Sequence, residues 1–308
     1  MLVYMNMKRI VILGAKGMLG RDLRKVFADE SPYVLDKEEL DITNRDAVFC
    51  CLERLKPDVV INAAAYTDVD GCETNRELAM KVNGAAPGYL ACVAKNIGAI
   101  LVHYSTDYVF SGEKAEGYSE DDRPGSPVNF YGETKLVGEN AIRDAGGNYY
   151  IIRTSWLFGL NGKNFVETIL RHDQDKSQKK KELKVVNDQH GKPTFSLDLA
   201  KKTKEILSGS YDFGTYHTTN EPATTWYDFA RAIIDKRNII GKKNQKNTSR
   251  RIQKLDDRLN FVYACSSLEF PRPAKRPAFS ILLNTKLPPL RPWREALEEY
   301  LKARSGII

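Results

Sequence analysis

Short apolar runs alternate with longer amphipathic stretches over the first half of the chain. The runs are rich in Val and Ile and contain few polar positions, which is typical of strands buried on both faces of a sheet. The stretches between them repeat apolar residues at the spacing of helices that cover such a sheet. The runs read KRIVILGA, YVL, PDVVINAAA, AILVHYST and NYYIIRTSW. This alternation predicts an α/β fold with a Rossmann-type, doubly wound parallel sheet.

A glycine-rich turn follows the first apolar run. The sequence ILGAKGMLG places Gly14, Gly17 and Gly20 three residues apart, between this strand and the first helix. The first glycine permits a tight turn, the second lets backbone N–H groups approach a pyrophosphate, and the third allows close packing of helix on strand. Glycine turns also occur without a ligand, but strand, turn and helix stand here in the required order. We therefore predict a dinucleotide site that includes Met18 and Leu19 at the helix start.

The residues near the second apolar run give mixed signals about the cofactor. Asp36 stands where a carboxylate would bind the hydroxyls of an adenosine ribose, whereas Lys37 and Lys16 favour a phosphate on that ribose. The sequence therefore predicts NADPH or NADH and leaves the choice open. In the sequence LDIT, Asp41 and Ile42 are placed to contact the adenine, although capping of the next helix explains the same segment.

The alternation loosens after Trp156. Helical patterns, a charged linker, a short strand and clusters of Gly and Pro follow one another. This composition predicts a smaller mixed α/β lobe for a substrate, laid against the carboxyl edge of the sheet. We expect a dinucleotide-binding domain over residues 7–160, with returning segments around 190–220. The substrate-binding lobe would then span residues 161–189 and 221–308.

A tyrosine and a lysine stand four positions apart in NFYGETKLVGE. Tyr131 and Lys135 therefore share one face of a predicted helix. One interpretation is a surface tyrosine packed on a lysine stem. The other is a phenol whose pKa is lowered by the ammonium until it exchanges protons near neutral pH. Thr106 ends the fourth apolar run, where a hydroxyl can donate to a substrate oxygen or simply stabilise a turn.

The net charge of +7 is concentrated in one segment. Residues 236–258 hold nine Lys or Arg and two Asp, an excess equal to that of the whole chain. Because no aromatic residues for base stacking are interleaved, we expect this segment to attract an anionic substrate and not to bind nucleic acid. No apolar run is long enough to span a membrane, and the five cysteines lack metal-site spacing. We expect a cytoplasmic protein with reduced thiols, no metal and no membrane partner.

Six ordered segments carry a resemblance to a known family. They read NAAAYTDVDGCE, HYSTDYVFSG, NFYGETKLVGE, IIRTSWLFG, VVNDQHGKPT and RPAFSILL. Together with the glycine turn, they resemble the signature segments of the dTDP-4-dehydrorhamnose reductases, a family of extended short-chain dehydrogenases/reductases. The resemblance runs from Lys8 to Leu301 and is weakest across residues 236–262.

The resemblance implies a reaction and a set of site residues. Such an enzyme uses NADPH or NADH to reduce the C4 keto group of dTDP-4-dehydro-L-rhamnose to dTDP-L-rhamnose. Tyr131 would give a proton to the C4 oxygen, and Thr106 would polarise the carbonyl. Lys135 would stabilise the phenolate and bind the nicotinamide ribose. The residues implied around the dTDP-sugar are Asp107, Tyr108, Trp156 and Asn164, and those implied along the cofactor include Ala63, Ala64 and Ala65.

Related activities share many of these motifs. A dehydratase would need an acidic pair beside Thr106, whereas Asp107 is followed here by Tyr108. An epimerase of the same superfamily and a regulatory subunit of methionine adenosyltransferase remain alternatives. Some family members bridge a dimer through carboxylates around magnesium, but this chain reads FSL, ending at Leu197, where such a glutamate would stand. We expect a monomer or a homodimer without a metal bridge.

Overall fold

The computed structural model describes residues 8–174, 182–242 and 262–307, and a parallel sheet lies at its centre. The strands are β1 (Ile10–Leu13), β2 (Tyr33–Leu35), β3 (Val59–Asn62), β4 (Ile100–Thr106), β5 (Asn148–Thr154), β6 (Leu157–Phe158), β7 (Leu183–Val186), β8 (His190–Gly191), β9 (Thr194–Phe195), β10 (Gly214–His217), β11 (Thr224–Thr225) and β12 (Val262–Cys265). Six strands form the central sheet in the order β2-β1-β3-β4-β5-β10, and every neighbouring pair is parallel.

Helices follow most of these strands. They are α1 (Met18–Val26), α2 (Arg45–Leu55), α3 (Val69–Thr74), α4 (Arg76–Ala79), α5 (Ala86–Ile97), α6 (Phe130–Ala145), α7 (Phe165–Gln174), α8 (Ser196–Ser208), α9 (Trp226–Lys242) and α10 (Trp293–Arg304). A π-helical stretch, Met80–Ala85, joins α4 to α5. Side chains cap several starts, as where Asn44 accepts from the Ala47 N–H and Asn129 from the Gly132 N–H. Such caps satisfy N–H groups that have no partner within the helix.

Apolar side chains cover both faces of the sheet. On one face, Ile12 and Ile61 pack with side chains of α1 and α8, among them Leu23 and Leu199. On the other face, side chains of α2 and α5 pack against Val11 and its neighbours. The alternation along each strand places successive side chains on opposite faces, and both faces are buried. The predicted doubly wound α/β fold is confirmed.

A second apolar cluster lies outside the sheet. It joins α7, α9 and α10 around five buried aromatic side chains, Phe158, Phe195, Phe229, Trp293 and Tyr300. The predicted strand LKVV is present as β7, where it pairs in parallel with β12. The basic segment lies outside the described residues from residue 243 onwards. Within the parts of the chain that the structure describes, no helix is long and apolar enough to cross a membrane.

Candidate active site

A cleft runs along the carboxyl ends of β1, β3, β4 and β5. It consists of two adjoining cavities of about 320 and 510 Å³, which share Gly17, Ala63 and Ala65 in their walls. The smaller one is also lined by Gly14, Asp36, Asp41, Ile42 and Ala64. The larger one is lined by Met18, Leu19, Thr106, Asp107, Tyr131, Lys135 and Trp156. The sheet edge thus brings most of the predicted site residues into one continuous cleft, as expected for parallel strands.

The glycine turn forms the wall between β1 and α1. Gly14 has a φ of +71°, and a Cβ at this position would lie 2.7 Å from the Ala64 nitrogen. A Cβ on Gly20 would overlap the Gly14 carbonyl, so this glycine serves the packing of α1 on the turn. Helix α1 begins at Met18 beside Gly17, so its N–H groups and positive dipole end face the cleft. This cradle fits the pyrophosphate of a dinucleotide.

Asp36 has a structural task at the edge of the smaller cavity. Its Oδ2 accepts from the Lys16 N–H at 2.7 Å, and its Oδ1 accepts from the Lys37 N–H at 2.8 Å. The carboxylate therefore ties the glycine turn to the segment after β2. The Lys16 ammonium lies 2.8 Å from Glu38, whereas Lys37 lines the cavity. Ribose binding by Asp36 stays a prediction.

The LDIT segment performs both of the tasks considered for it. Asp41 and Ile42 line the smaller cavity, where the adenine contact was predicted. Asp41 also accepts hydrogen bonds from the Thr43 N–H at 2.9 Å and the Thr43 hydroxyl at 2.7 Å. The cap of α2 itself is Asn44. Local turn bonds therefore hold the segment that forms this wall.

Tyr131 lies in the first turn of α6 and faces the larger cavity. Burial raises the pKa of its phenol above the ordinary value, and the nearby Asp107 carboxylate adds to the rise. Hydrogen bonding with Thr106 acts in the opposite direction. The expectation of a phenol pKa lowered towards neutrality is therefore wrong for this structure, in which desolvation dominates the shift.

Lys135 lies one helical turn beyond Tyr131 and is 2% exposed. Its Nζ donates to the Tyr104 carbonyl at 2.6 Å and lies 3.2 Å from the Nε2 of His103. Burial lowers the pKa of the ammonium to about 8, while the charge of Glu139 opposes this change. Glu139 offsets the lowered pKa of Lys135 only in part, because its charge is shared with Arg153, which donates two hydrogen bonds to it at 2.9 and 2.7 Å.

Thr106 and Asp107 follow each other at the end of β4. The Thr106 hydroxyl donates to Asp107 Oδ1 at 2.9 Å, and Asp107 Oδ2 is buried without a hydrogen-bond partner among the described residues. Burial raises the pKa of Asp107 to about 7, and the hydroxyls of Ser280 and Thr106 act against this rise. A buried oxygen in the wall of a cleft fits a hydroxyl donor on a bound ligand.

The remaining predicted substrate residues differ in their positions. Trp156 lines the larger cavity and stacks on Trp226, with ring centroids 3.6 Å apart. The ring of Tyr108 meets Tyr131 edge-on at 6.0 Å. Asn164 instead accepts from the Glu167 N–H at the start of α7, and its Nδ2 donates to the Gly159 and Gly162 carbonyls. Its amide is thus used within the loop, and direct substrate binding by Asn164 stays a prediction.

Sequence reasoning missed several residues of the site. His103 contacts Lys135, Trp226 supports Trp156, and Ser155 lines the larger cavity. His103 stands three residues before Thr106 in the HYST segment, which was the available signal for it. Among the residues that the structure describes, no three His, Cys, Asp or Glu side chains are grouped as metal ligands would be.

Comparison with known proteins gives one consistent result. Residues 7–305 match the family model described as RmlD substrate binding domain. The chain is 38% identical to a dTDP-4-dehydrorhamnose reductase of Burkholderia thailandensis, over 91% of each chain. It is 40% identical to the enzyme of that name from Aggregatibacter actinomycetemcomitans, over 91% of this chain and 92% of the relative.

Solved structures agree with the sequence relatives. A crystal structure of dTDP-4-dehydrorhamnose reductase from Bacillus anthracis in complex with NADP superposes with a TM-score of 0.83 and 34% identity, covering 96% of this chain and 99% of that one. A crystal structure of a dTDP-4-dehydrorhamnose reductase from Clostridium acetobutylicum superposes with a TM-score of 0.84 and 40% identity, with the same coverage of both chains. The resemblance inferred from the ordered segments is confirmed, and the chain belongs to the RmlD substrate binding domain family.

Proposed function

We propose that this chain is an NAD(P)H-dependent oxidoreductase that reduces the C4 keto group of dTDP-4-dehydro-L-rhamnose to give dTDP-L-rhamnose. The observation that carries the proposal is the meeting of Thr106, Tyr131 and Lys135 in one cavity that continues into the glycine turn. A hydroxyl, a phenol and an amine in this arrangement suit proton donation to a carbonyl oxygen. The family relatives, named for this reaction, support the same assignment.

Each cavity residue has a chemical task in this reaction. Tyr131 gives its proton to the C4 oxygen, and its raised pKa keeps the phenol protonated at neutral pH. The Thr106 hydroxyl turns from Asp107 Oδ1 and donates its one proton to the same oxygen as negative charge develops on it. Lys135 supplies positive charge for the phenolate that forms when Tyr131 loses its proton. The unpaired oxygen of Asp107 accepts from a sugar hydroxyl, while Trp156 covers one face of the sugar.

The smaller cavity and the glycine turn fit a nicotinamide dinucleotide. Gly14 and Gly17 would hold its pyrophosphate, Asp41 and Ile42 its adenine, and Lys135 the nicotinamide ribose. When bound, the nicotinamide supplies the hydride. We assign residues 7–160 and 190–220 to cofactor binding and residues 161–189 and 221–308 to the substrate lobe, because the separate core of α7, α9 and α10 lies beyond the sheet.

A coupled assay tests the function. The upstream dehydratase and epimerase reactions supply dTDP-4-dehydro-L-rhamnose, and the loss of reduced nicotinamide absorbance follows its reduction. We expect turnover that depends on both the sugar and the purified chain, with dTDP-L-rhamnose as the product by mass spectrometry. A folded chain that binds NADPH but converts none of this sugar would contradict the proposal.

We expect NADH and NADPH both to be used, with a preference below about a hundredfold, or about 2.7 kcal/mol. Asp36 is occupied with two backbone N–H groups, and Lys37 lines the cavity, so neither ribose form is excluded. Replacing Lys37 by Ala should raise the KM for NADPH by about tenfold or more and leave that for NADH nearly unchanged, because a charge-assisted contact contributes about 1.5–3 kcal/mol.

Steady-state kinetics with both cofactors on one enzyme preparation measures this ratio. Lys25→Ala is the matched control, because Lys25 is exposed in the last turn of α1 and lines neither cavity. An unchanged NADPH to NADH ratio in Lys37→Ala would show that another group selects the ribose.

A further inference from the structure

His103 lies buried between the sheet and α6, in direct contact with Lys135. It is 1% exposed and stands on β4 in register with Asn62 on β3. Its Nδ1 lies 3.1 Å from the Nδ2 of Asn62, and its Nε2 lies 3.2 Å from the Nζ of Lys135. Both ring nitrogens therefore have a nitrogen neighbour, so the positions of the protons decide which contacts are favourable.

The Asn62 amide fixes the tautomer of His103. The Ala64 N–H donates to Asn62 Oδ1 at 3.1 Å, which turns the NH₂ group of Asn62 towards His103. An NH₂ group can only donate, so Nδ1 must accept and carries no proton. Burial and the neighbouring Lys135 lower the pKa of His103 well below its ordinary value, so the ring is neutral. A neutral ring that is unprotonated at Nδ1 carries its proton on Nε2.

The Nε2–H group therefore points at the amine of Lys135. When Lys135 is an ammonium, two donors face each other at this contact. When Lys135 is neutral, its lone pair accepts from Nε2–H while one of its own N–H groups still donates to the Tyr104 carbonyl. The contact thus favours the neutral amine over the ammonium.

We propose that His103 is a positioning residue, locked by Asn62 in the Nε2–H tautomer, that disfavours the ammonium of Lys135 and so sets the upper pH limit of the reaction. The proposal rests on the proposed function for its kinetic consequence. The tautomer and the contact with Lys135 do not depend on that function. They follow from the successive contacts that join Ala64 to Asn62, Asn62 to His103 and His103 to Lys135.

Other charged and titratable groups around Lys135 complete its environment. Glu139 lies one turn further along α6 and favours the ammonium, but it is bound by Arg153 from β5 and by Arg143 at 2.7 Å. Tyr131 on α6 and Asp107 after β4 line the same cavity, and Cys72 on α3 lies close enough to contribute to the pKa of Tyr131. Lys135 Nζ itself contacts the Tyr104 carbonyl, which can only accept, and His103 Nε2, which can donate.

Asn62→Asp reverses the tautomer with almost no change of shape. One carboxylate oxygen still accepts from the Ala64 N–H, and the other now requires a proton on Nδ1 of His103. The lone pair of Nε2 then accepts from the Lys135 ammonium, which becomes the favoured form. We expect the midpoint of the alkaline fall in kcat to move up by about one pH unit or more. A midpoint that stays at the wild-type pH in a folded Asn62→Asp enzyme would overturn the proposal.

Nitrogen-15 NMR reads the tautomer without substrate or activity, so it separates this proposal from the proposed function. The chain has four histidines, and His103→Gln removes the signal of interest and so assigns it. We expect the Nε2–H pattern in the wild-type protein and the Nδ1–H pattern in Asn62→Asp. An imidazolium or an Nδ1–H pattern in the wild-type protein at pH 7 would overturn the assignment.

His103→Gln provides a second kinetic test if Asn62→Asp does not fold. Its amide can turn its oxygen towards Lys135, so the alkaline midpoint should again rise. An unchanged or lowered midpoint would count against the role of His103. Thr203→Val is the matched control, because Thr203 on α8 is buried and its hydroxyl bonds the Tyr104 hydroxyl at 2.7 Å and the Leu199 carbonyl at 2.9 Å, not Lys135. This variant should keep the wild-type midpoint; a midpoint that rose equally would attribute the shift to general loosening of the strand and overturn the proposal.

Discussion

Replacing Tyr131 by Phe is expected to lower kcat by about 10²–10⁴ while cofactor affinity stays close to that of the unmodified chain. The substitution keeps the ring, which packs with Phe130 and Cys72 and meets Tyr108 edge-on. It removes the phenolic proton that the carbonyl oxygen would receive. Because burial raises the pKa of this phenol, the group acts as an acid throughout the neutral range.

Stopped-flow measurement of hydride transfer, with titration of NADPH binding, checks this expectation. Tyr150→Phe is the matched control, because Tyr150 is a buried phenol with one hydrogen bond, to the Tyr211 carbonyl at 2.8 Å, and lines neither cavity. That variant should lose about 1 kcal/mol of stability and keep its activity. A folded Tyr131→Phe enzyme that reduces the sugar near the wild-type rate would remove Tyr131 from the reaction.

Thr106→Val should have a smaller effect than Tyr131→Phe. The change is nearly isosteric and removes one hydrogen bond to developing charge, which costs about 2–4 kcal/mol in the transition state. It also leaves Asp107 Oδ1 without the Thr106 donor. The ratio of the two effects distinguishes proton transfer from polarisation of the carbonyl, because only the former requires a group that gives up its proton.

Local sequence patterns were sufficient to predict the sheet, the glycine turn and the helix that form the site. Apolar runs separated by helical stretches imply a covered parallel sheet, and a glycine turn after the first run implies a cradle at the sheet edge. The spacing of Tyr131 and Lys135 places both on one face of α6, and both line the larger cavity. These features depend on neighbours in sequence, so the sequence alone contains the information for them.

The electrostatics of the site could not be predicted in the same way. The spacing of Tyr131 and Lys135 suggested that the ammonium lowers the phenol pKa, whereas burial and Asp107 raise it. Lys135 is engaged by the Tyr104 carbonyl and His103, both on β4. Burial and partners from another strand are tertiary properties, and a helical spacing does not report them.

Contacts between segments that are distant in the sequence could not be predicted from the sequence either. Trp226 stacks on Trp156 although seventy residues separate them, and no periodicity in the sequence indicates that pair. Asn164 was a candidate for substrate binding by resemblance, yet its amide caps α7 and bonds two loop carbonyls. Asn is favoured both at helix caps and at ligand contacts, so residue type alone does not separate the two roles.

Replacing Lys135 by Met is expected to lower kcat by about 10²–10³ and to weaken cofactor binding as well. Met fills a similar buried volume, so the fold should persist, but the charge that stabilises the Tyr131 phenolate is lost. The amine would also no longer donate to the nicotinamide ribose. A fall in kcat accompanied by a raised Kd for NADPH therefore distinguishes Lys135→Met from Tyr131→Phe, for which only kcat should fall.

The pH profile gives the sharper test of Lys135. Its pKa is lowered to about 8, so the ammonium is present below that pH and is lost as the pH rises through it. Wild-type activity should fall over this range, whereas Lys135→Met has no amine to titrate, and its residual activity should fall only at the higher pH where Tyr131 ionises. Lys95→Met is the matched control, since Lys95 is exposed, donates to the Ala145 carbonyl at 2.9 Å and lines neither cavity. An alkaline fall near pH 8 that survives in Lys135→Met would assign that titration to another group, with Asp107 as the next candidate because its pKa is about 7.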